Sequence, residues 1–432
     1  MKADTQVVIT GAGLACSLGK DTAETWKALL SGETGVKPVR GFDTADFGSR
    51  VAAQVEGLTP GSLGIHPRDA RIMDIHSLLL MMAGREAFMA AHPVHSGMLG
   101  EEMGFFAGMG MIDYKIDDLM PAVLKSLAPD GSMDYHTFYA RGYQEIHPLW
   151  PLSVLNNITF CQVAIDLGIR GENSVFCPHA DGGMIAVTEG IRNLREARSR
   201  LVLAGGVSEK VSPLSLARGH LAAILKISGG TGDSRCRPFG EGDKGTVLGE
   251  GAGLVALELR SSADSRSVPY SVMISGYGHA CEPLDNGPAP TARVIAWAMN
   301  QALETASLRT DDIDLVIAHG DGTLHGDRSE KEAVTQVFSG RGDLPVFSSK
   351  AALGHLLAAA PAVDIILGKL IIENGIIPPV LPEDTRQEDA GRGGPGFNLV
   401  TGRPLKKNVR KIMINCQSYE GQCSSVILES VA

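Results

Sequence analysis

Three short segments place reactive side chains among small residues: Cys177-Pro178-His179-Ala180-Asp181-Gly182-Gly183, His319-Gly320-Asp321-Gly322-Thr323, and Ser348-Ser349-Lys350-Ala351-Ala352-Leu353-Gly354-His355. Small neighbours let backbone N–H groups, an imidazole or an ammonium come within bonding distance of a substrate carbonyl, so the chemistry they suit is polarisation of that carbonyl. A lone histidine after a strand is more often structural. All three segments, in this order, are specific.

The elements that position them read as α/β. Residues 7–10 are strand-like and run into Gly11-Ala12-Gly13, which reads as a tight turn. A dinucleotide fingerprint would need a third glycine where the chain has Cys16, so a nucleotide site is not expected. Residues 174–177 read as a strand. Met184, Val187, Ile191 and Leu194 then fall at helical spacing, and 201–204 read as the next strand, a unit of the length a parallel crossover needs. The design recurs with 271–274 strand-like, 293–303 helical and 315–318 strand-like, ending at His319-Gly320. Two comparable halves, 1–258 and 259–432, are expected. Residues 111–155, richer in Met, Tyr, His and Pro, read as an insertion over a pocket or at a subunit interface. Residues 384–396 read as an exposed loop without function.

Of 432 residues, 44% are hydrophobic, 20% are charged and 52 are glycine without a three-residue period, which excludes a disordered or collagen-like chain. A net charge of −10 argues against nucleic acid as partner. The most apolar stretch, 356–368, is interrupted by Pro361 and Asp364 and falls short of the ~20 residues a membrane span requires. No signal-peptide core is read near the N-terminus. Seven cysteines without a CxxC pair or metal-type spacing point to free thiols in a reducing, cytoplasmic setting, with no metal and no cofactor.

The chain resembles the β-ketoacyl–acyl carrier protein synthases, above all the type II elongating branch and the related polyketide ketosynthases. The resemblance is carried by the opening Val-Val-Ile-Thr-Gly-Ala-Gly, by Leu203-Ala204-Gly205-Gly206, and by Arg237-Pro238-Phe239 with Val247-Leu248-Gly249-Glu250-Gly251-Ala252-Gly253. It continues through His319-Gly320 with Asp327 and Glu330, and ends at Lys350 with Gly354-His355-Leu356-Leu357. It implies the thiolase fold, two pseudo-symmetric βαβαβαββ halves in a five-layered αβαβα arrangement, working as a dimer. It also implies a cysteine nucleophile at the N-terminus of a buried helix, where the helix dipole favours the thiolate. Carried over by position, His319, His355 and Lys350 would support malonyl decarboxylation and hold the enolate oxygen, and Asp327 and Glu330 would order the site. Substrates would ride on the phosphopantetheine arm of acyl carrier protein.

The nucleophile does not carry over. The family cysteine lies nine places after the glycine of the preceding Arg-Gly and about twenty-five before the first glycine of Ala-Gly-Gly. From Gly171 and from Gly205 both counts end on Ala180. The helix phase of Val187, Ile191 and Leu194 agrees. Cys177 and His179 are less favoured substitutes. Further departures are Asp321 where the family commonly has threonine, and Asp243-Lys244-Gly245-Thr246 where it has Arg-Asp-Gly-Phe. The closing glycine-rich gate and oxyanion loop becomes Asn415-Cys416-Gln417-Ser418-Tyr419-Glu420-Gly421-Gln422-Cys423, in which Ser418 and Glu420 restrict the backbone and Glu420 would oppose an oxyanion.

These readings lead to a ketosynthase-like subunit of the chain-length-factor kind, in a heterodimer with a catalytic ketosynthase, serving polyketide, polyene or fatty acyl elongation. Retention of both histidines, which chain-length factors of aromatic systems often lose, supports a second expectation, a malonyl–acyl carrier protein decarboxylase. A third is a condensing synthase whose cysteine was exchanged for Ala180. Arg192 and Arg195 are candidates for docking the acidic carrier protein, against the plainer reading of a solvated helix face.

Overall fold

The apolar runs form strands, and the helical stretches between them carry the chain from one parallel strand to the next. The computed structural model describes residues 5–93, 97–111, 113–114, 116–177, 180–227, 236–240, 245–283, 290–380 and 397–431. The first part of the chain supplies β1 (Val7–Cys16), β2 (Met103–Met109), β3 (Asn173–Phe176), β4 (Leu201–Val207) and β5 (Gly251–Leu259). The second supplies β6 (Val272–Cys281), β7 (Leu315–Ile317), β8 (Pro345–Phe347), β9 (Asn398–Leu399), β10 (Lys411–Gln417) and β11 (Gln422–Ser430).

These eleven strands form one sheet in the order β9-β8-β7-β10-β11-β6-β1-β5-β4-β2-β3. Outward from the β6/β1 junction the two halves repeat: β1-β5-β4-β2-β3 on one side, β6-β11-β10-β7-β8 on the other. The pairing senses repeat too. β2 is parallel to β3 and β4, as β7 is to β8 and β10, whereas β5 and β11 are antiparallel to both neighbours. A short antiparallel match, Val7 to Ile274 and Val8 to Met273, joins the halves. This is the doubled βαβαβαββ unit of the thiolase fold.

The helices complete the layers. α1 (Ile75–Ala91) packs on β1 and β5 at one outer face, and α3 (Ala292–Ala306) on β6 and β11 at the other. Between the sheet halves lie α2 (Gly182–Arg195) and α6 (Ala360–Asn374), the latter touching β4 and β5 as well as β10 and β11. α6 is apolar on nearly every side, as a helix covered by two sheets must be. On α2, Met184, Val187, Ile191 and Leu194 are fully buried, as their spacing predicts.

Three local expectations are corrected. Gly11-Ala12-Gly13 is not a turn; β1 runs straight through it to Cys16. The glycines serve close approach instead, since a Cβ on Gly11 would lie 2.2 Å from the Ala87 carbonyl oxygen and one on Gly13 2.0 Å from that of Ala83, both on α1. The strand expected over 174–177 ends at Phe176, leaving Cys177 outside it. Three elements run past their apolar kernels: β4 reaches Val207, β6, which begins at Val272, reaches Cys281, and α3 spans Ala292–Ala306; β7 ends at Ile317, one residue short of the expected 315–318. Within 111–155 the chain forms short helices (Ile116–Leu124, Tyr135–Ala140, Trp150–Ser153) bearing exposed apolar residues. The loop 384–396 lies outside the described residues. Among the described residues no helix is long and apolar enough to cross a membrane.

Candidate functional site

The site gathers where parallel strands of the second half end, facing the start of α2, the usual place for a site in a wound α/β sheet. His319 stands two residues beyond β7. Glu330, on α4 (Leu324–Val337), accepts from the backbone N–H of His319 and of Gly320, each at 2.8 Å, and from the Asn415 carboxamide at 3.2 Å. Asp327, one turn earlier, accepts from the N–H of Phe239 at 2.6 Å and of Gly322 at 3.0 Å. Two carboxylates of one helix therefore pin the loop that carries the imidazole. Burial pushes the Glu330 carboxyl up to about 7, against three donors that favour its ionised form.

Lys350 opens the short helix α5 (Lys350–Leu353) after β8. Its Nζ lies 2.7 Å from Asp364 of α6, whose other oxygen accepts from the Ser349 hydroxyl at 2.7 Å. Burial alone would pull the ammonium down; Asp364 overrides it and holds the lysine above its ordinary value. Gly354 follows with φ +67°, where a Cβ would stand 3.0 Å from the carbonyls of Val247 and Leu248. The turn sets His355 against that segment, its N–H donating to the Val247 carbonyl at 2.7 Å.

The two imidazoles meet edge to face with centroids 5.0 Å apart. His319 Nδ1 accepts from the Gln417 N–H at 3.3 Å and His355 Nδ1 from the Leu357 N–H at 3.1 Å. Both ring protons of the neutral form therefore sit on Nε2. Burial, then the Lys350 ammonium, holds both rings below the ordinary histidine range, His355 down to about 3 and His319 well below it also. Leu357, at φ +47°, stores backbone strain beside His355. Two neutral Nε2–H donors beside a fixed cation in a buried setting suit an oxygen that gains negative charge, such as a thioester enolate.

Ala180 is 1% exposed, one residue before the Asp181 N-cap of α2. Its carbonyl accepts from Cys416 Sγ at 3.2 Å, and the next residue, Gln417, is the one bonded to His319. The structure thus brings the backbone of position 180 to the end of β10, one residue before the strand residue bonded to the first imidazole. Cys416 is no substitute nucleophile: it is buried, its S–H is engaged, and burial raises its pKa well above the ordinary thiol value. Cys177 is exposed beyond β3, accepts from the Asn156 carboxamide at 2.7 Å, and is likewise raised by burial. His179, Asp243 and Lys244 lie outside the described residues.

In the closing loop, Ser418 and Glu420 do not take left-handed backbone angles; Gly421 does, at φ +95°. Glu420 accepts from the Ser418 hydroxyl, so its carboxylate is held within its own loop. Tyr419 is half-buried, its hydroxyl raised by burial and by Glu420. A cavity of about 160 Å³ opens beside His319, lined by Asp321, Thr323, Gln417, Ser418 and Tyr419, with Ile224 on its apolar side. Asp321 accepts from the backbone N–H and hydroxyl of Thr323 and stands 4.0 Å from His319 Nε2.

Sequence reasoning missed Asp364, Asn415 and Gln417 as members of the site. Asp364 had a signal, a charge within the most apolar stretch of the chain, which needs a buried partner. Arg192 is paired with Glu189 and Glu196, and Arg195 donates to the Thr5 carbonyl while lying over Tyr277, so neither contributes an unpaired cation for docking. Among the described residues no group of three or more His, Cys, Asp or Glu side chains is placed to hold a metal.

A doubled βαβαβαββ sheet with paired imidazoles and a buried lysine at its strand ends defines a thiolase-fold protein of the ketosynthase class. The chain belongs to the β-ketoacyl synthase family: residues 4–263 match the Beta-ketoacyl synthase, N-terminal domain, and 272–383 the Beta-ketoacyl synthase, C-terminal domain. Among curated relatives, a 3-oxoacyl-[acyl-carrier-protein] synthase 2 of Coxiella burnetii is 26% identical over 430 residues, covering 99% of each chain. Among solved structures, the ishigamide ketosynthase/chain length factor is 26% identical with a TM-score of 0.83 over 99% of each chain. A type II polyketide synthase ketosynthase complexed with its acyl carrier protein (AntDE:AntF) matches at 20% identity and TM-score 0.81 over 99% of each chain, a likeness of fold alone.

Proposed function

We propose that this chain is a non-condensing, ketosynthase-like subunit acting as a chain-length factor. It pairs with a cysteine-bearing ketosynthase and shapes the tunnel for an acyl chain carried on acyl carrier protein, in polyketide, polyene or fatty acyl elongation. On this reading, 1–258 and 259–432 are its two halves and the protein works in the cytoplasm without a cofactor. The observation that carries the proposal is Ala180, buried just before the N-terminus of α2 with its carbonyl bonded to Cys416, the neighbour of the residue that holds His319, where an acyl-enzyme would need sulfur. Support comes from the likeness to the ishigamide ketosynthase/chain length factor and from the exposed apolar helices of 111–155, which suit a protein partner. That the Coxiella burnetii relative is a 3-oxoacyl-[acyl-carrier-protein] synthase 2 supports the carrier protein as a further partner.

One observation favours a second reading. Two neutral imidazoles with Nε2–H donors beside Lys350 can hold the enolate oxygen formed when a malonyl thioester releases carbon dioxide, a step that needs no thiol. Co-expression with the ketosynthase encoded nearest to this chain distinguishes the readings. A one-to-one heterodimer, with no carbon dioxide released from malonyl–acyl carrier protein by the chain alone, is expected. A homodimer that binds no ketosynthase overturns the proposal, and carbon dioxide release by the isolated chain establishes the decarboxylase. Condensation by the Ala180→Cys variant alone would mark an ordinary synthase whose cysteine had been exchanged.

A further inference from the structure

A fixed carboxylate lines the cavity beside the imidazoles. Asp321 stands in the loop between β7 and α4, where its Oδ1 accepts from the Thr323 N–H at 2.8 Å and from the Thr323 hydroxyl at 2.9 Å. Gly326, in the first turn of α4, leaves the room this group fills, since a Cβ there would lie 2.8 and 3.1 Å from its two oxygens. The carboxylate therefore rests against the N-terminus of a 14-residue helix, whose dipole favours negative charge. Burial pushes the carboxyl up, and the Thr323 donors and the Lys350 ammonium oppose it. Oδ2 stops 4.0 Å from His319 Nε2, too far for a hydrogen bond, and the side chain keeps 15% of its surface exposed.

The cavity offers nothing to balance a second negative charge. No lysine or arginine is among the described residues that line it, burial holds His319 neutral, and Lys350 is bonded to Asp364. Arg218, whose charge is felt at Tyr419 on the cavity wall, is paired with Glu209. At about 160 Å³ the space keeps any entering group within a few ångströms of Asp321.

We propose that Asp321 is a specificity-determining residue that keeps carboxylated acyl thioesters, the malonyl class, out of this cavity and admits uncharged acyl groups. A malonyl thioester whose carbonyl accepts from His319 Nε2–H carries its own carboxylate only two bonds further along. Asp321 Oδ2 lies 4.0 Å from the same nitrogen, so both anions would share one small region. Two carboxylates in a partly buried site either repel or force one of them to take up a proton, and both outcomes weaken binding. An uncharged acyl group meets neither cost. The imidazoles and Lys350 would favour an enolate once it had formed, whereas Asp321 acts one step earlier, on admission of its precursor. The inference rests on the chain-length-factor reading and deepens it, since a subunit of that kind receives an acyl chain and releases no carbon dioxide.

Calorimetric titration of the full chain at pH 7 with malonyl-pantetheine and with malonamoyl-pantetheine, which puts an uncharged amide of the same shape in place of the carboxylate, tests it. The amide is expected to bind the unaltered protein about tenfold or more tighter, the scale of like charges meeting in a partly buried site. Asp321→Asn, equal in shape and uncharged, is expected to bring the two within about twofold by tightening malonyl, as is Asp321→Thr should the first variant fold poorly. Equal affinities in the unaltered protein, no binding of either thioester, a preference that survives either replacement, or carbon dioxide released from malonyl-pantetheine during the titration overturns the inference. A chain that binds no ketosynthase overturns the chain-length-factor proposal and leaves this discrimination standing, whereas equal affinities in a chain that forms the heterodimer do the reverse.

Discussion

His355 shows how much of one residue's chemistry is set by its neighbours. Its Nδ1 is occupied by the Leu357 N–H, its ring is buried, and the Lys350 ammonium stands nearby, so charging it in the folded state is disfavoured down to about pH 3. An unfolded histidine titrates near 6.5. The folded state therefore binds fewer protons across that window, and the stability contributed by keeping the ring neutral is present above pH 6.5 and lost as pH falls toward 3. The loss runs at up to about 1.4 kcal/mol per pH unit for one such ring. Chemical denaturation between pH 7 and 4 is expected to show His355→Gln with a slope shallower by that order than the unaltered chain; equal slopes would place the ring in contact with solvent. At this scale His319, Lys350 and His355 were legible because each stands among small residues in a fixed order. Gln417, whose backbone N–H fixes His319, was not, since one carboxamide at a strand end announces nothing about the long-range contact of its backbone.

Between residues and the whole chain stand the contacts of strands with helices. Periodicity recovered α2 and the kernels of β4 and β7, because one-sided burial writes itself into spacing. It failed at β1, where Gly-Ala-Gly carries the local signature of a turn but is dictated by a long-range event, the crossing of α1 over the strand. Gly13 is the sharper case, with a Cβ placed 2.0 Å from the Ala83 carbonyl oxygen and 2.7 Å from the Ala87 N–H nitrogen. Backbone cannot yield there as a flexible side chain would. Gly13→Ala is expected to destabilise by about 1–3 kcal/mol, the scale of overpacking in a dense core, in denaturant titration. Gly61→Ala is the control, since its nearest neighbour would be 3.9 Å away, and it is expected to stay within about 0.5 kcal/mol. Equal effects for the two would show that the α1 contact does not decide the outcome at Gly13.

On the scale of the molecule, the doubled unit was readable from two α/β halves in one sequence, but the joining of their strands at β1 and β6 was not, since two residues of register leave no compositional trace. A similar gap concerns the surface. The helix Ile116–Leu124 carries Ile116, Met120 and Leu124 at a spacing of four, 57%, 39% and 61% exposed, and Tyr139 at 72% stands on the next helix. An apolar stripe on one short helix, with an exposed aromatic on the next, has the composition of an interface core and not of a solvated face. If the partner ketosynthase covers this insertion, replacing Leu124 and Tyr139 by glutamate buries two charges on assembly without disturbing the free chain, whose side chains there are in water. The Leu124→Glu/Tyr139→Glu variant is expected to keep its thermal midpoint, because exposed substitutions stay within about 0.5 kcal/mol each, while the dissociation constant for the heterodimer rises at least tenfold, about 1.4 kcal/mol. Analytical ultracentrifugation across a concentration series reads the second quantity directly. An unchanged constant would move the interface away from 111–155 and leave the stripe without a partner, and a lowered thermal midpoint would show that the stripe packs against this chain's own described surface.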